Sequence, residues 1–270
     1  MVLGVLRMYI KNTGKELISL TKEQLIEWYS EKGLSMSKIA EQLGTSNGYI
    51  SKKIKEFDIP KRDRSFSLIP TFNEDQVVRG TMLGDGTICK SSEKSGVLSF
   101  MHCAKQKEYI EWKAQQLTRF ASPKGVKFDP MKSQDDIYYD TYVFWTRSST
   151  YFSDIEKLYY QKIEDKRVKT ITREILDQID RLGLSVWLMD DGNRYFNVIT
   201  IPVPKVVKEV VRDWFKDKWN IITDFHSLGP KKSVINVAFK STEVKKFVDL
   251  VEEFVIPSMS YKIKVSSAVR

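Results

Sequence analysis

Cysteine and histidine are scarce in this chain: Cys89, Cys103, His102 and His226 are the only ones in 270 residues. So few soft or imidazole ligands argue against a structural zinc site. The two cysteines read as free thiols, small buried residues in a reducing compartment. Long apolar runs are absent as well. No stretch approaches the length of a membrane span, and the N-terminus lacks an apolar segment with a cleavage site, so neither a membrane anchor nor secretion is expected. What the chain does carry is positive charge. Lys and Arg number 44 against 35 Asp and Glu, a net charge of +9, which favours a polyanionic partner such as nucleic acid. A hydrophobic fraction of 41% with 12% aromatics supplies enough apolar surface for a core, and 270 residues suffice for one or two domains.

Two short segments end alike: Val78-Arg79-Gly80-Thr81-Met82-Leu83-Gly84-Asp85-Gly86 and Leu184-Ser185-Val186-Trp187-Leu188-Met189-Asp190-Asp191-Gly192. Each is an apolar helical run stopped by a carboxylate and a glycine. An Asp in the last turn faces the negative end of the helix dipole and is destabilised unless a cation compensates; the following glycine reads as the usual helix stop. Asp-Gly is a common turn dipeptide, so one copy means little. Two copies, with Asp85 and Asp191 separated by 191 − 85 = 106 positions, suggest two related halves that bring one carboxylate each to a shared metal site.

These segments resemble the nine-residue signature of the LAGLIDADG homing endonucleases, in the two-motif, single-chain form. Two further stretches support the resemblance. Ile256-Pro257-Ser258-Met259-Ser260-Tyr261-Lys262-Ile263 is similar to the family's C-terminal Pro-x-Met-x-Tyr-Lys segment. His102 with Lys105-Gln106-Lys107-Glu108-Tyr109-Ile110-Glu111-Trp112-Lys113 is similar to a segment common after the first motif. The resemblance spans about residues 72–265. It implies an α+β fold: duplicated αββαββα halves whose antiparallel sheets form a saddle over DNA, here at residues 73–165 and 166–270. A linker at 65–72 and a small all-α domain at 1–64 precede them.

Within residues 1–64, Thr21 caps a helix with Gln24 three residues on, and Leu25, Ile26 and Tyr29 lie on its inner face. Helices from Ser37 to Leu43 and from Ser46 to about Phe57 follow, joined at Gly44-Thr45. Ile39, Ala40, Leu43, Ile50 and Ile54 fall where a helix-turn-helix needs apolar or small residues. The pattern resembles that DNA-binding unit, whose last helix enters the major groove. Ser46, Asn47, Tyr49, Lys52 and Lys53 are then candidate DNA contacts, as are Arg62 and Arg64 in the basic stretch after Pro60. In the first half, helices are expected at Asn73–Gly84, Lys105–Phe120 (Tyr109, Trp112 and Leu117 inward) and Thr150–Tyr160. In the second, one helix is expected over Thr172–Asp190, followed by the same order of elements.

The resemblance implies Mg²⁺-dependent phosphodiester hydrolysis, with two or more divalent ions shared between Asp85 and Asp191 and with Gly84 and Asp190 offering main-chain carbonyls. Lys262 matches the family's active-site lysine in one half. In the other, Lys166-Arg167-Val168-Lys169 stands where the family often has Lys-Lys-(Val/Ile)-Pro. Lys166 and Arg167 are the candidates there, and Arg cannot act as a base. His102 is the candidate polar helper of the first half, with Ile201 as its second-half counterpart, so uneven rates on the two DNA strands are expected. Gly80 and Gly84 allow close approach of the two motif helices, opposite Val186 and Asp190, with Ser185 the nearest small residue. Outward strand residues expected to read DNA are Lys90, Ser92, Lys94, Ser99, Arg147, Arg194, Asn197, Lys231, Lys232, Asn236 and Lys240.

Three activities fit: a site-specific endonuclease making a double-strand break in a long target, an intron-RNA splicing maturase, and a non-cleaving DNA-binding regulator. The paired carboxylates weigh against the regulator, and a helix-turn-helix favours double-stranded DNA over RNA. With both motifs in one chain, a monomer is expected, in the cytoplasm, the nucleoid or another reducing, DNA-containing compartment. The start at Met1 and the lack of flanking splicing blocks argue against an intein context.

Overall fold

The computed structural model describes residues 8–9, 16–17, 20–32, 34–60, 67–132, 136, 138–227, 233–240 and 242–264. Arg62, Arg64, Lys231 and Lys232, expected to contact DNA, lie outside the described residues. The chain forms two compact units, residues 1–64 and 65–270.

The smaller unit is not all-α as expected: strands β1 (Met8–Tyr9) and β2 (Glu16–Leu17) pair antiparallel ahead of its helices. Thr21 and Gln24 close a reciprocal capping box at the start of α1 (Lys22–Leu25), and the chain continues through a π-helical turn over Ile26–Glu31. Then come α2 (Met36–Gln42) and α3 (Asn47–Glu56), capped by the hydroxyls of Ser35 and Ser46. Gly44 in the connection sits at φ +64°, a left-handed conformation that a glycine takes without a Cβ penalty. Leu25, Tyr29, Ile39, Ala40, Ile50 and Ile54 form a core separate from that of the larger unit.

The larger unit starts with α4 (Phe72–Leu83), entered through a capping box between Thr71 and Glu74. Strands β3 (Thr87–Ser92) and β4 (Ser95–Cys103), helix α5 (Lys107–Gln116), strand β5 (Ala121–Phe128), a two-stranded spur of β6 (Met131–Lys132) and β7 (Tyr138–Tyr139), strand β8 (Thr141–Thr146) and helix α6 (Thr150–Tyr159) complete the first half. A ribbon of β9 (Tyr160–Ile163) and β10 (Lys166–Lys169) and the short α7 (Arg173–Asp177) lead into the second half. That half comprises α8 (Arg181–Asp191), β11 (Asn193–Tyr195), β12 (Val198–Pro204), α9 (Lys208–Trp219), β13 (Asp224–Ser227), β14 (Val234–Lys240) and α10 (Thr242–Val251), with a 3₁₀ segment at Pro257–Lys262. The two four-stranded antiparallel sheets have orders β3-β4-β8-β5 and β11-β12-β14-β13. The repeat is therefore carried by topology as well as by the two motifs.

In the larger unit three features of the fold depart from the sequence reading. The single helix expected over Thr172–Asp190 is two, because the chain breaks at Gln178–Asp180. Gln76 of α4 takes up that break, donating from its amide to Gln178 O at 2.9 Å and accepting from Asp180 N at 2.7 Å. The β9–β10 ribbon was not expected; its turn residues Glu164 and Asp165 both have positive φ, the pattern of a tight two-residue hairpin. Cys89 and Cys103 are free but exposed rather than buried, since each alternates outward beside the inward Ile88 and His102.

The halves join along α4 and α8. A Cβ on Gly80 would overlap the Gly183 carbonyl and lie 2.7 Å from Val186 Cβ, and one on Gly84 would lie 2.5 Å from Asp190 Cβ. Glycine on α4 thus admits bulk from α8. Gly183, pressed against Gln76, is the small residue that α8 contributes; Ser185 instead turns to α10, donating to Arg181 O and Val251 O. One apolar core runs through both halves and includes Val77, Val78 and Met82 of α4 and Leu184, Trp187 and Leu188 of α8. Among the described residues no helix is long and apolar enough to cross a membrane.

Candidate active site

Both motif helices end at the same place. Asp191 is the last residue of α8, and Asp85 follows the Gly84 cap of α4. The glycines after them are not left-handed stops, for neither has a positive φ. They are required by close approach: a Cβ on Gly86 would come within 2.6 Å of Thr81 O, and one on Gly192 within 2.5 Å of Leu188 O. The chain can thereby fold back against the last helical turn and hold the acid at the axis. Burial is the main influence raising both carboxyl groups, Asp191 to about 7, and the charges of neighbouring acids add to it: Asp190 on Asp85, Asp85 and Asp190 on Asp191.

A lysine grips the main-chain carbonyl before each acid. Lys262 Nζ donates to Asp190 O at 3.0 Å. Lys169 Nζ donates to Gly84 O at 2.7 Å and Gly86 O at 2.9 Å. Both ammonium groups are shifted down by burial, against the pull of Asp85, Asp190 and Asp191. The result is two stations at which a lysine grips the carbonyl before an acid, Lys169 at Gly84–Asp85 and Lys262 at Asp190–Asp191; both lysine charges reach both acids, and that of Lys169 acts most on Asp191. The sequence reading names Lys166 and Arg167 for the half without Lys262, whereas it is Lys169 that the structure sets against the Gly84 and Gly86 carbonyls. Arg167 pairs with Glu156 at 2.8 Å, donates to Ile88 O at 2.5 Å and stacks on the Tyr160 ring, whereas Lys166 is exposed on β10. Alternation along the ribbon puts Arg167 and Lys169 on one side and Lys166 on the other.

Asp190 contributes more than a main-chain carbonyl. Its carboxylate is fully buried: Oδ1 accepts from Tyr109 OH and Lys113 Nζ, each at 2.7 Å, and Oδ2 accepts from Asp85 N at 3.3 Å. Lys113, also fully buried, lies 4.4 Å from the Phe100 ring centroid and 4.8 Å from that of Tyr109. His102 Nδ1 is 3.5 Å from Asp85 and its Nε2 is 3.7 Å from Asp190. Burial and the Lys113 charge depress the imidazole to about 3, so it is neutral near pH 7 and brings no positive charge. It points inward with Leu98 and Phe100. The 3₁₀ turns after β4 and β12, at 104–106 and 205–207, make Val203 its counterpart, not Ile201; both are apolar and buried.

The remaining candidates divide by what they touch. Lys90 pairs with buried Glu156, Lys240 with Asp224, and Ser92 bonds Ser95. Arg194 donates to Phe196 O and Ile263 O, and Arg147 to Arg119 O. Lys94 and Asn197 are exposed, and Ser99 and Asn236 half-exposed on the outward faces of β4 and β14. In the smaller unit, Lys52 is exposed and Tyr49 half-buried, Ser46 is committed to the α3 cap, Asn47 bonds Ser37 and Lys53 pairs with Glu56.

A duplicated α+β half whose axis helices deliver paired acids to one end of the interface is the class of fold defined here. The LAGLIDADG DNA endonuclease family matches residues 75–247, and the chain belongs to that family. It is 30% identical over 127 residues to the probable intron-encoded DNA endonuclease 3 of Mycosarcoma maydis, covering 46% of this chain and 93% of that protein. It is 24% identical over 235 residues to protein RecA of Mycobacterium shimoidei, covering 76% of this chain. The chain spans about half the length of that relative, the match covering 50% of it. Its fold is similar to that of the homing endonuclease I-WcaI bound to its DNA recognition sequence: TM-score 0.63, 20% identity, 80% of this chain and 93% of that one.

Proposed function

We propose that this chain is a site-specific homing endonuclease that makes a Mg²⁺-dependent double-strand break in a long DNA target. The observation that carries the reading is the pair of pseudo-symmetric stations, each with an acid, a main-chain carbonyl and a lysine at the end of an axis helix. Two stations in one chain suit two scissile phosphates without a partner, so the enzyme acts as a monomer.

The donor set fits a hard divalent cation. Asp85 and Asp191 are oxygen ligands whose charges oppose one another at the end of the axis, and the side chain of Asp190 is already taken by Lys113 and Tyr109. Few carboxylates and no soft ligand suit Mg²⁺. Asp85 and Asp191 would hold that cation, which would supply acidification of water and neutralisation of the departing oxyanion. Lys169 and Lys262 hold positive charge where negative charge grows on each phosphate. Tyr109 and Lys113 close the buried side of the site against water.

The helix-turn-helix of the smaller unit, with α3 as its reading helix and Lys52 toward phosphate, extends recognition beyond the core. Incubating the chain with DNA that spans the uninterrupted insertion site of its host element, in Mg²⁺ and in EDTA, tests the proposal. A double-strand cut in Mg²⁺ alone supports it. Tight binding without a cut in either condition overturns it in favour of a regulator or, if intron RNA is bound instead, a maturase.

A further inference from the structure

The two stations are built alike, but their surroundings are not. Gly84 and Asp190 are equivalent positions, each directly before its acid, yet one has no side chain and the other has a buried carboxylate. That carboxylate crosses the pseudo-twofold axis, fills the space over Gly84 and accepts from the main-chain N–H of Asp85. Lys113 and Tyr109, both from the first half, hold its other oxygen. Shifted by the 101 residues between the aligned 3₁₀ turns, their counterparts are Trp214 and Val210, which cannot hold a carboxylate. A charged clamp therefore holds Asp85 through its main-chain N–H, and no equivalent clamp is seen at Asp191 among the described residues.

We propose that Asp190, held by Lys113 and Tyr109, is a positioning residue that sets the Asp85 station, so that loss of the clamp slows cleavage of one DNA strand selectively. On this reading the uneven strand rates expected from Arg167 and from Ile201 opposite His102 arise instead from the clamp. A carboxylate fixed on two sides by charge-assisted bonds has one orientation, and partners behind a ligand set its direction. The inference rests on the endonuclease reading.

The test follows nicking of each labelled strand of insertion-site DNA in Mg²⁺ under single-turnover conditions, for the full chain and two variants. Tyr109→Phe removes one bond to Asp190 and keeps the ring. Lys113→Met with Asp190→Asn removes both charges together, leaving none buried alone. Both variants should slow one and the same strand about 10–100-fold, leave the other close to wild type and leave DNA binding unchanged. Equal slowing of both strands, or no slowing in either variant, overturns the inference while leaving the endonuclease intact. Absence of nicking by the wild type overturns the endonuclease reading itself.

Discussion

Replacing Lys113 by Met should be among the most destabilising single changes in the larger unit. The ammonium lies 2.7 Å from Asp190 Oδ1 with both side chains fully buried. At an effective dielectric of about 20 their attraction is on the order of 6 kcal/mol, much of it offset by the cost of desolvating both charges. The substitution forfeits the attraction and leaves the other cost in place: Asp190 stays buried with Tyr109 and the Asp85 amide as its remaining partners. Breaking such a pair from one side costs about 3–5 kcal/mol, and the ring contacts with Phe100 and Tyr109 add to this. Met fills the volume of the lysine stem, so a cavity is not the cause. Adding Asp190→Asn should recover at least half of the loss. Urea unfolding followed by tryptophan emission reports it, because Trp112, Trp145, Trp187, Trp214 and Trp219 all lie in the larger unit and only Trp28 in the smaller. A loss below about 1 kcal/mol, or a double variant no more stable than Lys113→Met, refutes the reasoning.

Gly84→Ala should destabilise by about 1–3 kcal/mol in the same assay, because its Cβ would sit 2.5 Å from Asp190 Cβ; wild-type stability would show that the axis can open. Lys169→Met should reduce cleavage about 100-fold and Lys166→Met far less, and the opposite ranking would return the first station to the residue favoured by sequence alone. Without metal, Asp191 holds its proton up to about 7 in the folded chain against 3.8 ordinarily. Its contribution to stability is therefore fully present below about pH 4 and lost as pH rises through about 7. In EDTA, Asp191→Asn should exceed the wild type by about 1–3 kcal/mol above pH 7, allowing for solvent screening. That advantage should disappear toward pH 4, and thermal melts showing a constant difference across the range contradict this.

The acids were legible because each closes an apolar helical run before a glycine, a pattern that local sequence writes twice. The repeated topology was legible for the same reason. Lys169 was not, because Lys166-Arg167-Val168-Lys169 reads as a charge run until the β9–β10 register decides which side each residue faces. Lys113 was half visible: it lies in the helical stripe Tyr109, Ile110, Lys113 and Leu117, all buried, where a cation demands a buried acid. What sequence could not supply was that acid, 77 residues away on the other half. His102 carried a similar signal, since alternation with Leu98 and Phe100 already pointed it inward. The break before α8 was hidden because Gln178–Asp180 is stabilised by Gln76 across the interface rather than by a local stop.

The central claim is that Asp85 and Asp191 together place a divalent cation for phosphodiester hydrolysis. It is tested most directly by cleavage of insertion-site DNA in Mg²⁺ by the wild type, Asp85→Asn and Asp191→Asn, with binding measured alongside. The account predicts a double-strand break by the wild type alone, with both variants still binding the DNA. A variant that binds and still cuts both strands at the wild-type rate would contradict it.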